Sequence, residues 1–127
     1  MNKAEQKRIE ARIQRALDRL QRRLGVEFEW VLSPNSGVEA TFQIERSNRG
    51  VEDPVCFSLE YNPDLIEAES LADLRYDIYH EILHAMTWNW WEALLKWAPR
   101  SEWIELRKRV YEPAIYEIER RTRKYVV

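Results

Sequence analysis

The sequence predicts an α+β domain: an N-terminal helix, a small three-stranded antiparallel or mixed sheet, a central helix and a C-terminal helix. Both ends of the chain show apolar residues at helical spacing. The middle segment instead alternates with period two and is rich in β-branched and aromatic residues. With 127 residues, 45% of them hydrophobic and 33% charged, the composition predicts one globular domain over 1–127 and excludes a disordered chain.

The N-terminal helix is predicted from Ala4 to Leu24. Its apolar residues recur three, four and seven positions apart, with arginine and glutamate between them: Ile9, Ile13, Ala16, Leu17, Leu20 and Leu24. Gly25 is well placed to end the helix because glycine readily adopts the left-handed conformation of a C-terminal cap.

Three short strands are predicted between Val26 and Tyr61. The alternating residues are Phe28, Trp30 and Leu32, then Val38, Ala40, Phe42 and Ile44, then Val55, Phe57 and Leu59. The segment from Ser33 to Gly37 has the composition of a hairpin turn, and Ser47 to Gly50 with Pro54 separates the second strand from the third.

Two helical stretches follow the strands. Ser70 is a plausible N-cap for a helix from Leu71 to about Trp88 or beyond. A second stretch runs from Ser101 to about Lys124, and Pro113 within it must either kink the helix or begin a new one.

Charge and cysteine content narrow the class of protein. Residues 1–25 carry eight Lys or Arg and three acidic residues, and residues 96–127 carry nine Lys or Arg and five acidic residues. Residues 26–95 carry only three Lys or Arg and fourteen acidic residues. The two ends are therefore basic and the middle is acidic. The single cysteine, Cys56, cannot form an internal disulfide, so we expect a cytoplasmic location and a buried apolar role for it. The sequence has no apolar run of membrane-spanning length, and we expect no membrane partner.

The segment from His80 to His84 reads HEILH, an HExxH motif within a predicted helix. Four residues advance a helix by about 400°, so the two imidazoles lie about 40° apart on one face and both reach a single ion. A catalytic Zn²⁺ site needs such ligands, an open position for water and a carboxylate near that water, which Glu81 supplies. An apolar stripe of Leu71, Leu74, Ile78, Ile82 and Ala85 lies on nearly the opposite side of the helix.

The third ligand is left open by the residue pattern. Both histidines of the chain are in the motif, so a carboxylate or, less favourably, Cys56 must complete the set. The C-terminal helix offers Glu102, Glu105, Glu112, Glu117 and Glu119. Periodicity alone favours Glu117 slightly over Glu112, unless Pro113 kinks the helix.

Four further side chains are candidates for supporting roles. Asp73 or Asp77 would accept the second N–H of a metal-bound imidazole, although a surface position suits either aspartate equally well. Tyr111 and Tyr116 would each offer a hydroxyl to an oxyanion, with simple packing as the alternative for both.

Over roughly residues 54–127 the chain resembles the minimal gluzincin-type zinc metallopeptidases, particularly the short predicted metallopeptidases of phages and mobile elements. The resemblance is carried by a strand (Val55 to Tyr61), the HEILH helix and a C-terminal helix bearing glutamate. It implies a zincin-like fold, with His80, His84 and Glu112 as zinc ligands and Glu81 as the catalytic base.

The first functional hypothesis is therefore a zinc-dependent hydrolase of peptide bonds, with a peptide or protein substrate paired along Val55 to Tyr61 as an edge strand. The alternative is a catalytically silent, zinc-stabilised binding module whose basic helical arms contact nucleic acid or an acidic protein. Neither reading specifies the cleavage preference or the oligomeric state.

Overall fold

The computed structural model of the protein describes residues 1–46 and 55–127 and confirms the α+β class. Its elements in chain order are α1 (Lys3–Leu24), β1 (Glu29–Pro34), β2 (Phe42–Arg46), β3 (Cys56–Tyr61), α2 (Pro63–Glu67), α3 (Leu71–Leu95), α4 (Trp103–Leu106) and α5 (Glu112–Val126). A 3₁₀ turn (Arg100–Glu102) precedes α4, and a π-helical turn (Arg107–Tyr111) joins α4 to α5.

The N-terminal helix α1 agrees with the prediction at both ends. Asn2 caps its start by accepting the Glu5 backbone N–H, and Gly25 ends it at φ 70°. That left-handed conformation strains residues with a Cβ atom, which explains the glycine. The predicted apolar face is buried in the core: Ile9, Ile13, Ala16, Leu17 and Leu20.

The sheet is mixed, with strand order β1-β3-β2. Strand β3 lies in the centre, parallel to β1 and antiparallel to β2. The predicted hairpin at Ser33 to Gly37 is therefore wrong, since β1 and β2 are not neighbours. The turn instead leads the chain past the end of β3, where the Asn35 N–H donates to the Tyr61 carbonyl.

Two details of the strand prediction also differ from the structure. The second strand begins at Phe42 rather than Val38. The segment Val55 to Tyr61 is not an edge strand, because β3 is paired on both sides and its residues are mostly buried. The predicted turn from Ser47 to Gly50, with Pro54, lies outside the described residues.

Helix α3 is the longest element and lies against both α1 and α5. Ser70 caps it as predicted, accepting the Asp73 backbone N–H. Of the predicted apolar stripe, Leu74, Ile78 and Ile82 are fully buried, whereas Leu71 is 49% exposed. The short helix α2 was not predicted; Asn62 caps it by accepting the Asp64 backbone N–H.

The C-terminal stretch is interrupted near Pro113, as predicted, and a new helix begins at Glu112. The π-helical turn interrupts the stretch directly before Glu112, whose backbone N–H bonds to the Arg107 carbonyl five residues back. Pro113 has no N–H, and its ring would collide with the Arg109 carbonyl in a regular helix. The wider π turn and the restart of the helix at Glu112 accommodate the proline.

Two predictions concerned the burial of Cys56 and the absence of a membrane-spanning segment. Cys56 is buried in β3 with a free thiol, as expected for a small apolar residue. Within 1–46 and 55–127, the helices lack the combination of length and apolar character that crossing a bilayer requires.

Candidate metal centre

Two helices bring together potential ligand atoms from three residues. The Nε2 atoms of His80 and His84 on α3 are 3.2 Å apart. From α5, Glu112 places Oε1 3.4 Å from Nε2 of His84 and Oε2 3.8 Å from Nε2 of His80. The polar face of α3 therefore meets the C-terminal helix, as the motif predicts, and Glu112 is the glutamate that approaches both histidines.

Two of the other candidate glutamates are directed away from the cluster. Glu117, which periodicity favoured, is directed to Arg120 and Arg121. Glu105 pairs with Arg109 on the exposed side of the chain. Periodicity favoured Glu117 because it counted Ala114 and Ile118 as part of the buried face, whereas both are exposed and only Ile115 is buried.

A carboxylate that the sequence analysis did not assign to this role holds His80 in place. Oε2 of Glu119 lies 2.9 Å from Nδ1 of His80, and the glutamate side chain is only 14% exposed. A carboxylate at this distance favours the proton on Nδ1, which leaves Nε2 as a lone-pair donor facing the cluster. The expected partners do not take this role: Asp73 is exposed, and Asp77 bonds to Glu69.

The two tyrosines have different surroundings. Tyr111 is buried and stacks on the His84 ring, and its hydroxyl contacts Thr87 Oγ1 at 2.6 Å and the His84 carbonyl at 3.4 Å. Its surroundings therefore favour packing over oxyanion binding. Tyr116 is 61% exposed, and its ring centroid lies 4.7 Å from that of His80. Tyr116 is thus the more accessible of the two, and it lines the cleft beside the cluster.

A cleft of about 360 Å³ opens beside the cluster. Residues 39–42 form one wall, and the others include Asp77, His80, Glu81 and Glu119. Glu81 is 9% exposed, and its burial, with Glu112 and Asp77 close by, raises the pKa of its carboxyl to about 8. The site is thus rich in carboxylates, and a bound cation would relieve their mutual repulsion.

Arg107 also approaches the cluster, although its position could not be read from the sequence. Its Nε lies 3.6 Å from Oε1 of Glu112. Hydrogen bonding to His84, followed by the nearby His80 and Arg107, keeps the pKa of the Glu112 carboxyl below its ordinary value. Glu112 is therefore ionised at neutral pH, the form that binds a metal.

A second carboxylate pair supports the wall of the cleft. Thr41 donates to Oε1 of Glu69 at 2.8 Å, while the buried Oε2 of Glu69 receives no N–H or hydroxyl from the described residues. A hydrogen bond between Glu69 and Asp77 therefore requires a shared proton. Burial and the Glu69 carboxylate raise the pKa of Asp77 from 3.8 to about 8.

We expect Asp77→Asn to make folding stability less dependent on pH. Because folding raises the pKa of Asp77, its stabilising contribution is complete below about pH 4 and is lost as the pH rises toward 8. Asparagine cannot ionise, and its amide still donates to Glu69. Thermal melts of the metal-free protein from about pH 5 to 9 should show the variant gaining Tm relative to the parent as pH rises.

Asp73→Asn is the matched control, because Asp73 is an exposed aspartate on the same helix. It should leave the slope of Tm against pH unchanged. Parallel plots of Tm against pH for Asp77→Asn and the parent would contradict a proton shared between Glu69 and Asp77.

The spacing of the cluster can be compared with that of a metal site. Ligand atoms bound at 2.0–2.1 Å in a tetrahedron lie roughly 3.3 Å from one another. The two Nε2 atoms, 3.2 Å apart, are close to this value, and one ligand atom from each of the three residues lies within 4.8 Å of the others. The three residues are therefore close enough together to share one ion.

Fold and site together define an α+β protein with a two-histidine, one-carboxylate cluster at the meeting of two helices. Comparisons of the chain with protein-family models, with curated proteins and with solved structures found no match. The resemblance to gluzincins therefore rests on the motif and on the arrangement of the residues around it.

Proposed function

We propose that the protein is a zinc-dependent metallopeptidase. The observation that carries the proposal is the convergence of ligand atoms from His80, His84 and Glu112 beside the buried carboxyl of Glu81. Zinc fits this donor set because two imidazoles, one carboxylate and an open position are typical of its catalytic sites. When bound, zinc would polarise the scissile carbonyl and acidify water.

Three further side chains would take part in the reaction or position a zinc ligand. Glu81 follows His80 directly and lines the same cleft. A bound cation would favour its ionised form, which would accept a proton from the attacking water and pass it to the leaving amine. Glu119 holds the imidazole of His80 in the tautomer that a metal requires. The hydroxyl of Tyr116, at the open side, would donate to the oxygen that gains charge.

The substrate would lie along β2 rather than β3. In the described sheet β2 is an edge strand, and Phe42, its first residue, lines the cleft. An extended peptide can add to such an edge through backbone hydrogen bonds. This placement brings a scissile bond toward His80 and Glu81 and suits an unfolded or extended segment of a protein.

The test measures zinc content and hydrolysis together. Freshly purified protein is analysed by elemental mass spectrometry and then incubated with a library of fluorogenic peptides, with and without a chelator. We expect about one zinc per chain, cleavage that the chelator stops and zinc restores, and neither zinc nor cleavage in His84→Ala. Zinc binding without cleavage of any peptide would favour the silent binding module, and absence of zinc after reconstitution would refute the site.

A further inference from the structure

A groove lined by arginines lies between α1 and α3, away from the metal centre. It has a volume of about 450 Å³, and Arg12, Arg15 and Arg19 of α1 face Arg75 of α3 across it. Around the axis of α3, Arg75 is about 140° from His80. The groove shares no lining residue with the cleft beside the metal centre.

The arginines of α1 form a continuous row. At 100° per residue, all six arginines of this helix fall within a sector of about 100°, beside the buried face: Arg8, Arg12, Arg15, Arg19, Arg22 and Arg23. Arg8 pairs with Glu67, and Arg23 donates to the Val126 carbonyl. The part of the row that lines the groove, from Arg12 to Arg19, extends about 10 Å along the helix axis. A row of this kind presents positive charge along a line and not at a single point.

The groove carries more positive charge than the described residues neutralise. Arg12 donates to the backbone carbonyls of Ile66 and Glu69. Within residues 1–46 and 55–127, Arg15, Arg19 and Arg75 have no carboxylate partner, and Nε of Arg19 is buried without an acceptor. Nearby Arg75, followed by Arg23 and Arg22, lowers the pKa of Arg19, so these cations repel one another.

We propose that this groove binds the phosphate backbone of a nucleic acid. Guanidinium groups bind phosphate oxygens through two parallel hydrogen bonds, and unpaired arginines in a row match a ligand with negative charge at regular intervals. A single anion would not use a row of about 10 Å. The proposal does not depend on peptidase activity, since the groove and the metal centre occupy different faces of α3.

The experiment measures fluorescence anisotropy of a labelled single-stranded DNA of about 20 nucleotides at salt concentrations from about 50 to 200 mM. We expect Arg15→Gln/Arg19→Gln/Arg75→Gln to weaken binding roughly tenfold or more. The slope of log affinity against log salt should fall by about 2, since each phosphate contact to a single strand contributes about 0.7.

The matched control is Lys3→Gln/Lys7→Gln/Lys108→Gln, which removes three exposed positive charges outside the groove. It should bind nearly as well as the parent. Circular dichroism should show that the arginine variant is folded, with Tm equal to or above that of the parent because mutual repulsion is removed. Arg15→Gln alone, at an exposed position, should give a smaller loss in the same direction.

Three results would overturn the proposal. The first is equal loss of affinity in the lysine and arginine variants, which would show only a general charge effect. The second is displacement of the DNA by pyrophosphate at the potency of unlabelled DNA, which would indicate a small phosphorylated ligand. The third is displacement by a polyglutamate peptide of equal charge with the same potency, which would indicate an acidic protein partner.

Discussion

Replacing Glu81 by glutamine should lower peptide turnover about 10²- to 10⁴-fold while leaving zinc binding intact. Glutamine keeps the size and hydrogen-bonding reach of the side chain but cannot accept the proton of the attacking water. Glu81 is not one of the three clustered ligands, so the spacing of His80, His84 and Glu112 should be retained. Steady-state hydrolysis of the best library peptide and zinc content per chain are measured on the same preparation.

Glu117→Gln is the matched control for this substitution. It makes the same chemical change at a carboxylate that pairs with Arg120 and Arg121 away from the cluster. Its turnover should remain near that of the parent. A Glu81→Gln protein that holds zinc and cleaves as fast as the parent would remove Glu81 from the mechanism.

The part of the site that the sequence predicts correctly is local. Two histidines four residues apart on a helix must share a face, and only Ser70 and the helical periodicity are needed to place that helix. No contact distant in sequence enters this inference. The geometry of His80 and His84 was therefore predictable, although their function as ligands remains a proposal.

The strand order was not predictable by the same reasoning. The composition of Ser33 to Gly37 is equally suited to a hairpin and to the turn observed, which leads past the end of β3. What decides between them is that β3 buries most of its residues and so takes the centre of the sheet. That preference depends on contacts with α1 and α3, which a period-two pattern does not contain.

The roles of Glu112 and Glu119 depend on a feature that residue preferences do not indicate. Periodicity misjudged the glutamates because it took Ala114, Ile115 and Ile118 as one buried face, whereas only Ile115 is buried and the other two are exposed. A signal was nevertheless present on both sides of Pro113. Glu112, Tyr116 and Glu119 are spaced by four and three residues, so they form one polar stripe, and this stripe faces the two histidines.

Replacing Glu112 by glutamine should weaken zinc affinity by more than about 100-fold. Losing a residue that only supports a ligand typically weakens affinity by roughly 10- to 100-fold. The change removes the negative charge and the strongest oxygen donor of the set, while the lowered pKa of Glu112 shows that the site favours the ionised form. Affinity is measured by competition with a chromogenic chelator.

Glu117→Gln serves again as control because it keeps the same net charge as Glu112→Gln. Equal zinc affinity for Glu112→Gln and Glu117→Gln would exclude Glu112 as a ligand and leave the two histidines with a different third partner. Glu119 would then be the remaining carboxylate in contact with His80, but it approaches Nδ1 and not the Nε2 that faces His84. Binding through Glu119 would require the His80 ring to flip. This outcome would therefore also contradict the placement of the His80 proton on Nδ1.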